Sequence, residues 1–308
     1  MNNIIIILMV ILVLILGLGY LIIGYYFYNM AINPNSDKSI LKIGNIPEEE
    51  MNRRKEWLKK NSKDIYITST NYGNLKLHAY EIEANKKTNI WTIVIHGYTK
   101  AGIEMEKYAE KYKEIGSNVL LVDLRSSGLS EGNYIGFGWH DRLDIIDWIN
   151  YLVKKDTNCK IILFGVSMGA ATVMMTTGEQ LPSNVKLAIE DCGYTSVIDI
   201  FTNKIENLFH LPPKPILNSA NFITKIKSNY NLYDASSIEQ IKKSKTPTLF
   251  IHGSADTFVP YNMLDKLYDT ASCEKEKLVI EGAEHAVSAD VNPSLYWNTI
   301  VDFIKKHI

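Results

Sequence analysis

The chain has 308 residues, 46% of them hydrophobic, which is enough for one large domain or two small ones. Its 33 basic and 34 acidic residues leave a formal net charge of −1, so there is no basic footprint and nucleic acid is excluded as a natural partner. Three cysteines, Cys159, Cys192 and Cys273, stand at unrelated spacings and make neither a disulfide framework nor a zinc site.

Ile4 to Tyr28 holds no charged residue. At 1.5 Å per residue such a run crosses a hydrocarbon layer of ~30 Å. Tyr20, Tyr25, Tyr26 and Tyr28 gather at its far end, where an interfacial aromatic belt belongs. The alternative is a cleaved signal peptide. Against it, the apolar run is too long, no Lys or Arg precedes it and no A-x-A site follows. Residues 1–30 therefore read as a single-pass transmembrane anchor in the cell membrane. Lys38 and Lys42 follow the span, and by the positive-inside rule they lean toward a cytoplasmic body, a bias carried by two lysines.

Residues 31–60 read as a tether and a lead-in helix. Asn33 to Asn45 is polar and rich in turn formers, and Glu48 to Lys60 is charged and helical, with Met51 and Trp57-Leu58 as its apolar contacts. Residues 61–308 form the main domain. Asp64–Thr70 and Leu75–Tyr80 alternate with the two-residue period of half-buried strands around Asn71-Tyr72-Gly73-Asn74, which predicts an antiparallel hairpin. From residue 90 the strands become continuous apolar runs: Ile90–Ile95, Asn118–Val122, Lys160–Phe164, Val185–Ile189, Thr248–Ile251 and Lys277–Ile280. Helical stretches such as Glu104–Ile115 and Trp139–Lys155 separate most of them. This pattern predicts an α/β fold with a mostly parallel sheet covered on both faces, whose ligands sit at the carboxyl ends of the strands. Thr195 to Asn231 interrupts the alternation and reads as a small helical cap, a 195–231 insertion over the site.

Gly165-Val166-Ser167-Met168-Gly169 follows an apolar strand and opens a helical run with Ala170 and Ala171. Strand, sharp turn and helix in that order form a nucleophile elbow, with Ser167 at its tip. A serine hydroxyl needs a base, and the base needs a carboxylate to hold its tautomer. Of the seven histidines, His285 in Gly282-Ala283-Glu284-His285 is the one that follows the last strand in a loop at the correct sheet edge. Asp256, just past another strand, is the preferred acid, and Asp191 beside Glu190 is the rival. The order Ser167, Asp256, His285 is the hydrolase order rather than that of chymotrypsin or subtilisin. For the oxyanion hole, the backbone N–H of Met168 and that of Tyr98, after His96-Gly97, are the natural donors. Cys192 falls close to this edge and reads as a buried, inert thiol.

These segments, with Asp123-Leu124-Arg125-Ser126-Ser127-Gly128-Leu129-Ser130 and His252-Gly253-Ser254-Ala255-Asp256-Thr257-Phe258-Val259-Pro260, resemble the α/β-hydrolase superfamily over about residues 60–308. More closely they resemble its serine aminopeptidase and monoacylglycerol lipase-like branch, including membrane-anchored members from Gram-positive bacteria. The resemblance implies an eight-stranded sheet, a Ser-His-Asp triad and no cofactor. It also implies a structural role for Asp123 and Arg125 in tying down their loop, and a catalytic body outside the cytoplasm. The residues and the resemblance thus point to opposite sides of the membrane, and orientation stays open at this point.

The expected activity is that of a membrane-anchored serine hydrolase cleaving a small-molecule ester or acyl substrate through an acyl-enzyme. Peptidase, amidase and thioesterase chemistry use the same groups, and a non-catalytic tethered binding module is the reading from another class. No His-x-x-x-His or Cys-x-x-Cys spacing points to a metal.

Overall fold

A computed structural model describes residues 2–39 and 46–308. Residues 40–45, the end of the polar stretch read as a tether and the site of Lys42, lie outside the described residues.

The chain runs α1 (Asn2–Ala31), α2 (Glu48–Asn61), β1 (Ser62–Thr68), β2 (Lys76–Ile82), β3 (Ile90–Ile95), a 3₁₀ turn (Gly102–Met105) into α3 (Glu106–Ile115), and β4 (Asn118–Val122). Then come α4 (Asp141–Lys155), β5 (Lys160–Val166), α5 (Met168–Thr177), β6 (Val185–Asp191), α6 (Val197–Lys204), α7 (Pro213–Ser228) and α8 (Ser237–Ile241). The chain closes with β7 (Thr248–Gly253), α9 (Asn262–Thr270), β8 (Lys275–Ile280), α10 (Ser288–Val291) and α11 (Pro293–His307). Among the described residues the strands make one 8-stranded sheet in the order β1-β2-β4-β3-β5-β6-β7-β8. The expected hairpin β1–β2 is antiparallel, β2 is antiparallel to β4, and every later pairing is parallel.

Alternation along each strand builds two apolar layers. Ile93, Ile95 and Leu163 point to the face covered by Trp148 and Ala171, whereas Val94, Leu121 and Phe164 meet Tyr112 and Phe303 on the other. Continuous apolar strands are thus a consequence of burial on both faces. Asp123 fixes the loop after β4, where its carboxylate accepts from the backbone N–H of Gly102 (2.7 Å) and Leu129 (2.9 Å) and meets His78 Nδ1 at 2.7 Å. Arg125 is buried and pairs with Asp144 on α4 through two contacts of 2.8 Å.

Among the described residues α1 is the one helix long and apolar enough to cross a membrane. Its side chains from Ile4 to Ile23 are mostly exposed. Its end differs: Phe27 and Tyr28 are buried, as is Ile32 just past the helix, which belongs to the core layer that contains Leu77 and Trp91. α1 crosses the cap helix α7 where a Cβ on Gly24 would stand 2.2 Å from Ser219 Oγ. Small residues at that crossing let the two backbones approach, as in close-packed membrane helices. The Ser219 hydroxyl donates to the Tyr20 carbonyl, and Tyr28 and Ser228 share a hydrogen bond of 3.0 Å. Tyr28 therefore leaves the aromatic belt and packs inward on the cap, while Tyr20, Tyr25 and Tyr26 stay exposed.

Candidate active site

The parallel register brings the carboxyl ends of β3, β5, β6, β7 and β8 to one edge. Gly165 lies opposite Ile95 on one side and Glu190 on the other, and Gly253 lies opposite Ile280. At the end of β5 the chain turns through Ser167, whose backbone sits at φ 58°, ψ −116°, and enters α5 at Met168. A positive φ on a non-glycine residue is strained, and such strain gathers at functional turns. The turn closes because its flanks are bare: a Cβ on Gly165 would lie 2.3 Å from the Gly169 carbonyl carbon, and one on Gly169 would lie 2.2 Å from the Ile95 oxygen. The Ser167 N–H donates to the Asp191 carbonyl at 2.8 Å, which pins the turn to β6.

Two loops supply the partners. The loop after β7 and the loop after β8 are joined by the Ala255 N–H donating to the Ala283 carbonyl at 3.0 Å. They place His285 Nε2 2.9 Å from Ser167 Oγ and His285 Nδ1 2.7 Å from Asp256 Oδ2. The carboxylate holds the ring proton on Nδ1 and leaves Nε2 to accept from the serine hydroxyl. The other oxygen of Asp256 accepts from the backbone N–H of Phe258 and Val259, both at 2.9 Å. Burial raises the Asp256 carboxyl, but His252, His285 and the Val259 N–H outweigh it and hold it well below the usual carboxylate range. The rival Asp191 is occupied elsewhere: it accepts from the Tyr296 hydroxyl at 2.8 Å, and burial pushes it up to about 6.

Four of the other histidines are held by local contacts away from Ser167. His78 is held between Asp123 and Asp64, His140 stacks on Tyr72, and His96 accepts from the Leu124 N–H at 3.0 Å. His252 lies behind Asp256, with Nε2 3.0 Å from the Val259 carbonyl and 3.3 Å from Asp256 Oδ2. Beside it, Glu190 accepts from the Gly193 N–H at 2.9 Å, and burial pushes its carboxyl up to about 8.

Tyr98 and Met168 both border Ser167, and a Cβ on Gly97 would stand 3.5 Å from Ser167 Cβ, so the β3 loop passes directly beside the serine. Potential metal ligand atoms of Cys192, Asp256 and His285 lie within 4.8 Å of one another. Burial drives the Cys192 thiol far above its ordinary range, whereas a metal needs the thiolate, and both other groups already engage each other.

Ser167 sits where two cavities meet. One is lined by apolar side chains of the cap, α5 and the last turn of α1, with Lys204 as its basic residue. The other is a wider cleft of mixed character, where Arg54, Lys100, Glu104 and His285 stand among apolar side chains such as Met105 and Val287. Periodicity cannot mark the α1 residues as part of a site, because that helix is apolar on every side.

The profile of the prolyl oligopeptidase family matches residues 116–308. The uncharacterized protein YqkD of Bacillus subtilis is 26% identical over 285 residues, which are 92% of each chain. Among solved structures, the esterase Pf2001 of Pyrococcus furiosus superposes with a TM-score of 0.66 at 21% identity, over 86% of this chain and 96% of that one. The acylaminoacyl peptidase of Pyrococcus horikoshii gives 0.57 at 16% identity, over 80% of this chain and 42% of the other. The likeness to these two structures is one of fold.

Proposed function

The chain belongs to the prolyl oligopeptidase family within the α/β-hydrolase superfamily, and from that premise we propose that it is a membrane-anchored serine hydrolase of acyl esters. The carrying observation is the unbroken hydrogen-bond path Ser167–His285–Asp256, at 2.9 and 2.7 Å. Ser167 Oγ attacks the acyl carbonyl while His285 Nε2 takes its proton, and Asp256 holds the resulting imidazolium. The N–H groups of Met168 and Tyr98 receive the oxyanion, each worth about 3–4 kcal/mol in the transition state. Collapse breaks the ester C–O bond, His285 protonates the departing alkoxide, and water, activated by the same imidazole, releases the acid from Ser167. The apolar cavity beside Ser167 supports an acyl group on one side of the carbonyl, and the mixed cleft that carries Arg54, Lys100 and Glu104 supports a leaving group with polar atoms on the other.

In this reading residues 1–30 anchor the chain as a single pass, residues 61–308 are the hydrolase domain, and 195–231 is its cap. The body is placed outside the cytoplasm, as in the anchored serine hydrolases it resembles, and digestion by protease added to intact protoplasts checks this. Family membership favours a second reading, amide or peptide cleavage by the same residues.

The test is labelling of the full chain in detergent by a fluorophosphonate, with Ser167→Ala and His285→Ala as controls. Labelling of the wild type alone supports the reading. A folded wild type that takes no label would sink it and leave the non-catalytic binding module in its place. Matched anilide and ester panels then separate the two chemistries.

A further inference from the structure

We infer that the last turn of the membrane helix is a wall of the acyl-binding pocket, so that the anchor itself selects acyl-chain length. The inference rests on the hydrolase reading and names its substrate class: esters of medium or longer apolar chains, of the kind lodged in membranes.

Phe27, Met30 and Ile32 of the anchor segment line the same cavity as Ser167 and Met168. Phe201 and Leu217 of the cap line it with them. Phe27 meets the cap edge-on, its ring centroid 5.3 Å from that of Phe209.

This wall is fixed in place. The Tyr98 hydroxyl donates to the Ala31 carbonyl at 2.7 Å, and the Ile135 N–H donates to the Ile32 carbonyl at 2.9 Å. Lys38 closes the helix end, its ammonium donating to the Met30 and Asn33 carbonyls at 2.6 and 2.8 Å. A helix serving only as a leash needs none of these contacts.

A second apolar groove lies nearer the N-terminus of α1 on the same helix pair, where Lys227 stands over the Tyr25 ring at 4.9 Å. Leu21, Ile22 and Tyr25 of α1 form this groove with Phe222 and Ile226 of α7. Phe222 and Ile226 are 47% and 68% exposed, on a helix packed against the membrane span. A hydrocarbon chain lodged beside Ser167 lies against Phe27 and Met30, at the end of the segment that crosses the bilayer. Its ester head is left facing the mixed cleft that holds His285.

The experiment uses the full chain in detergent micelles with p-nitrophenyl acetate, octanoate and dodecanoate. Each buried methylene is worth roughly a fourfold gain in kcat/KM. Met30→Trp fills the pocket, and the octanoate-to-acetate ratio of kcat/KM is expected to fall at least tenfold. Phe27→Ala lengthens the pocket, and the dodecanoate-to-octanoate ratio is expected to rise at least threefold. Leu14→Trp, on the same helix well outside the cavity, is expected to keep both ratios. Ratios for Met30→Trp within twofold of those for Leu14→Trp overturn the inference. So does a folded Phe27→Ala with an unchanged chain-length profile, which decides the matter if Met30→Trp does not fold. A wild type that takes fluorophosphonate label but shows no preference for octanoate over acetate overturns this inference alone. One that neither labels nor hydrolyses any of the esters overturns the hydrolase reading, and this one with it.

Discussion

The phenol of Tyr98 donates to the main-chain carbonyl of Ala31 at 2.7 Å, across 67 residues of sequence. One partner ends the apolar N-terminal helix and the other sits in the loop beside Ser167. The Tyr98 ring also stacks on Phe137 at 5.0 Å, so the loop that borders the serine is braced by the anchor on one side and the core on the other.

That brace makes the anchor part of the folded body. Deleting residues 1–45 strips the partners of a buried surface that now receives Phe27, Tyr28 and Ile32. Each such side chain contributes about 2 kcal/mol when buried. The truncated body is expected to melt well below the full chain, to bind a hydrophobic dye and to lose most fluorophosphonate labelling. Equal melting temperatures in the same detergent would refute this.

Gly24 meets the backbone of Ser219, with 2.6 Å from an added Cβ to the Ser219 carbonyl oxygen. Backbone does not swing aside as a long side chain does. Gly24→Leu is expected to cost about 1–3 kcal/mol by overpacking, read as a lower melting temperature in micelles. Gly17→Leu, where an added Cβ meets nothing within 4 Å, is expected to leave it unchanged.

The two acids near the serine are separable. Asp256→Asn takes the carboxylate from His285 and is expected to lower kcat roughly 10⁴-fold, as loss of the orienting acid does in serine proteases. Asp191→Asn leaves His285 and its partner in place and is expected to change kcat by less than about tenfold, since its side chain bonds Tyr296. Comparable losses from both would mean that Asp256 is not the orienting group.

Glu190 links stability to pH. Its carboxyl rises from 4.5 to about 8 on folding, chiefly through burial, so between those values the folded chain binds more protons than the unfolded one. Stability contributed by the neutral acid is complete below about pH 4.5 and is lost as pH rises toward 8. Asp256 has the opposite sign: its carboxyl is lowered on folding, and its contribution is lost in acid as pH falls below the ordinary carboxylate range. Glu190→Gln keeps an acceptor for the Gly193 N–H and removes the titration. Its melting temperature is expected to decline less between pH 5 and 8 than that of the wild type. Parallel declines would contradict the assignment.

Arg125 and Asp144 form a buried pair, and Asp144 also accepts from the Ser69 hydroxyl at 2.8 Å. Arg125→Met strands a buried carboxylate and is expected to cost about 3–5 kcal/mol, while Arg125→Met with Asp144→Leu recovers most of it. Thermal denaturation of both variants checks this. A double variant no better than the single one would show that the pair is not what the loop depends on.

The sheet and the edge that carries Ser167 are written in the local pattern of the chain. Each parallel strand is a continuous apolar run because both of its faces are buried, and that burial is written locally, so strands such as Ile90–Ile95 and Asn118–Val122 are legible to the residue. The elbow is legible for the same reason, since only glycine fits at 165 and 169 against backbone 2.2–2.3 Å away. Chain order singles out Ser167, Asp256 and His285 because strand ends converge in any such sheet. The use made of the apolar N-terminal helix comes instead from packing. An all-apolar helix has the same pattern whether its far end faces lipid, cap or pocket. The inward turn of Phe27, Tyr28 and Ile32 is set by partners such as Tyr98, Ser219 and Ser228, far away in sequence. The partner of Arg125 was hidden likewise, because a buried ion pair depends on where α4 lies against β4, and that placement comes from packing rather than from any local pattern.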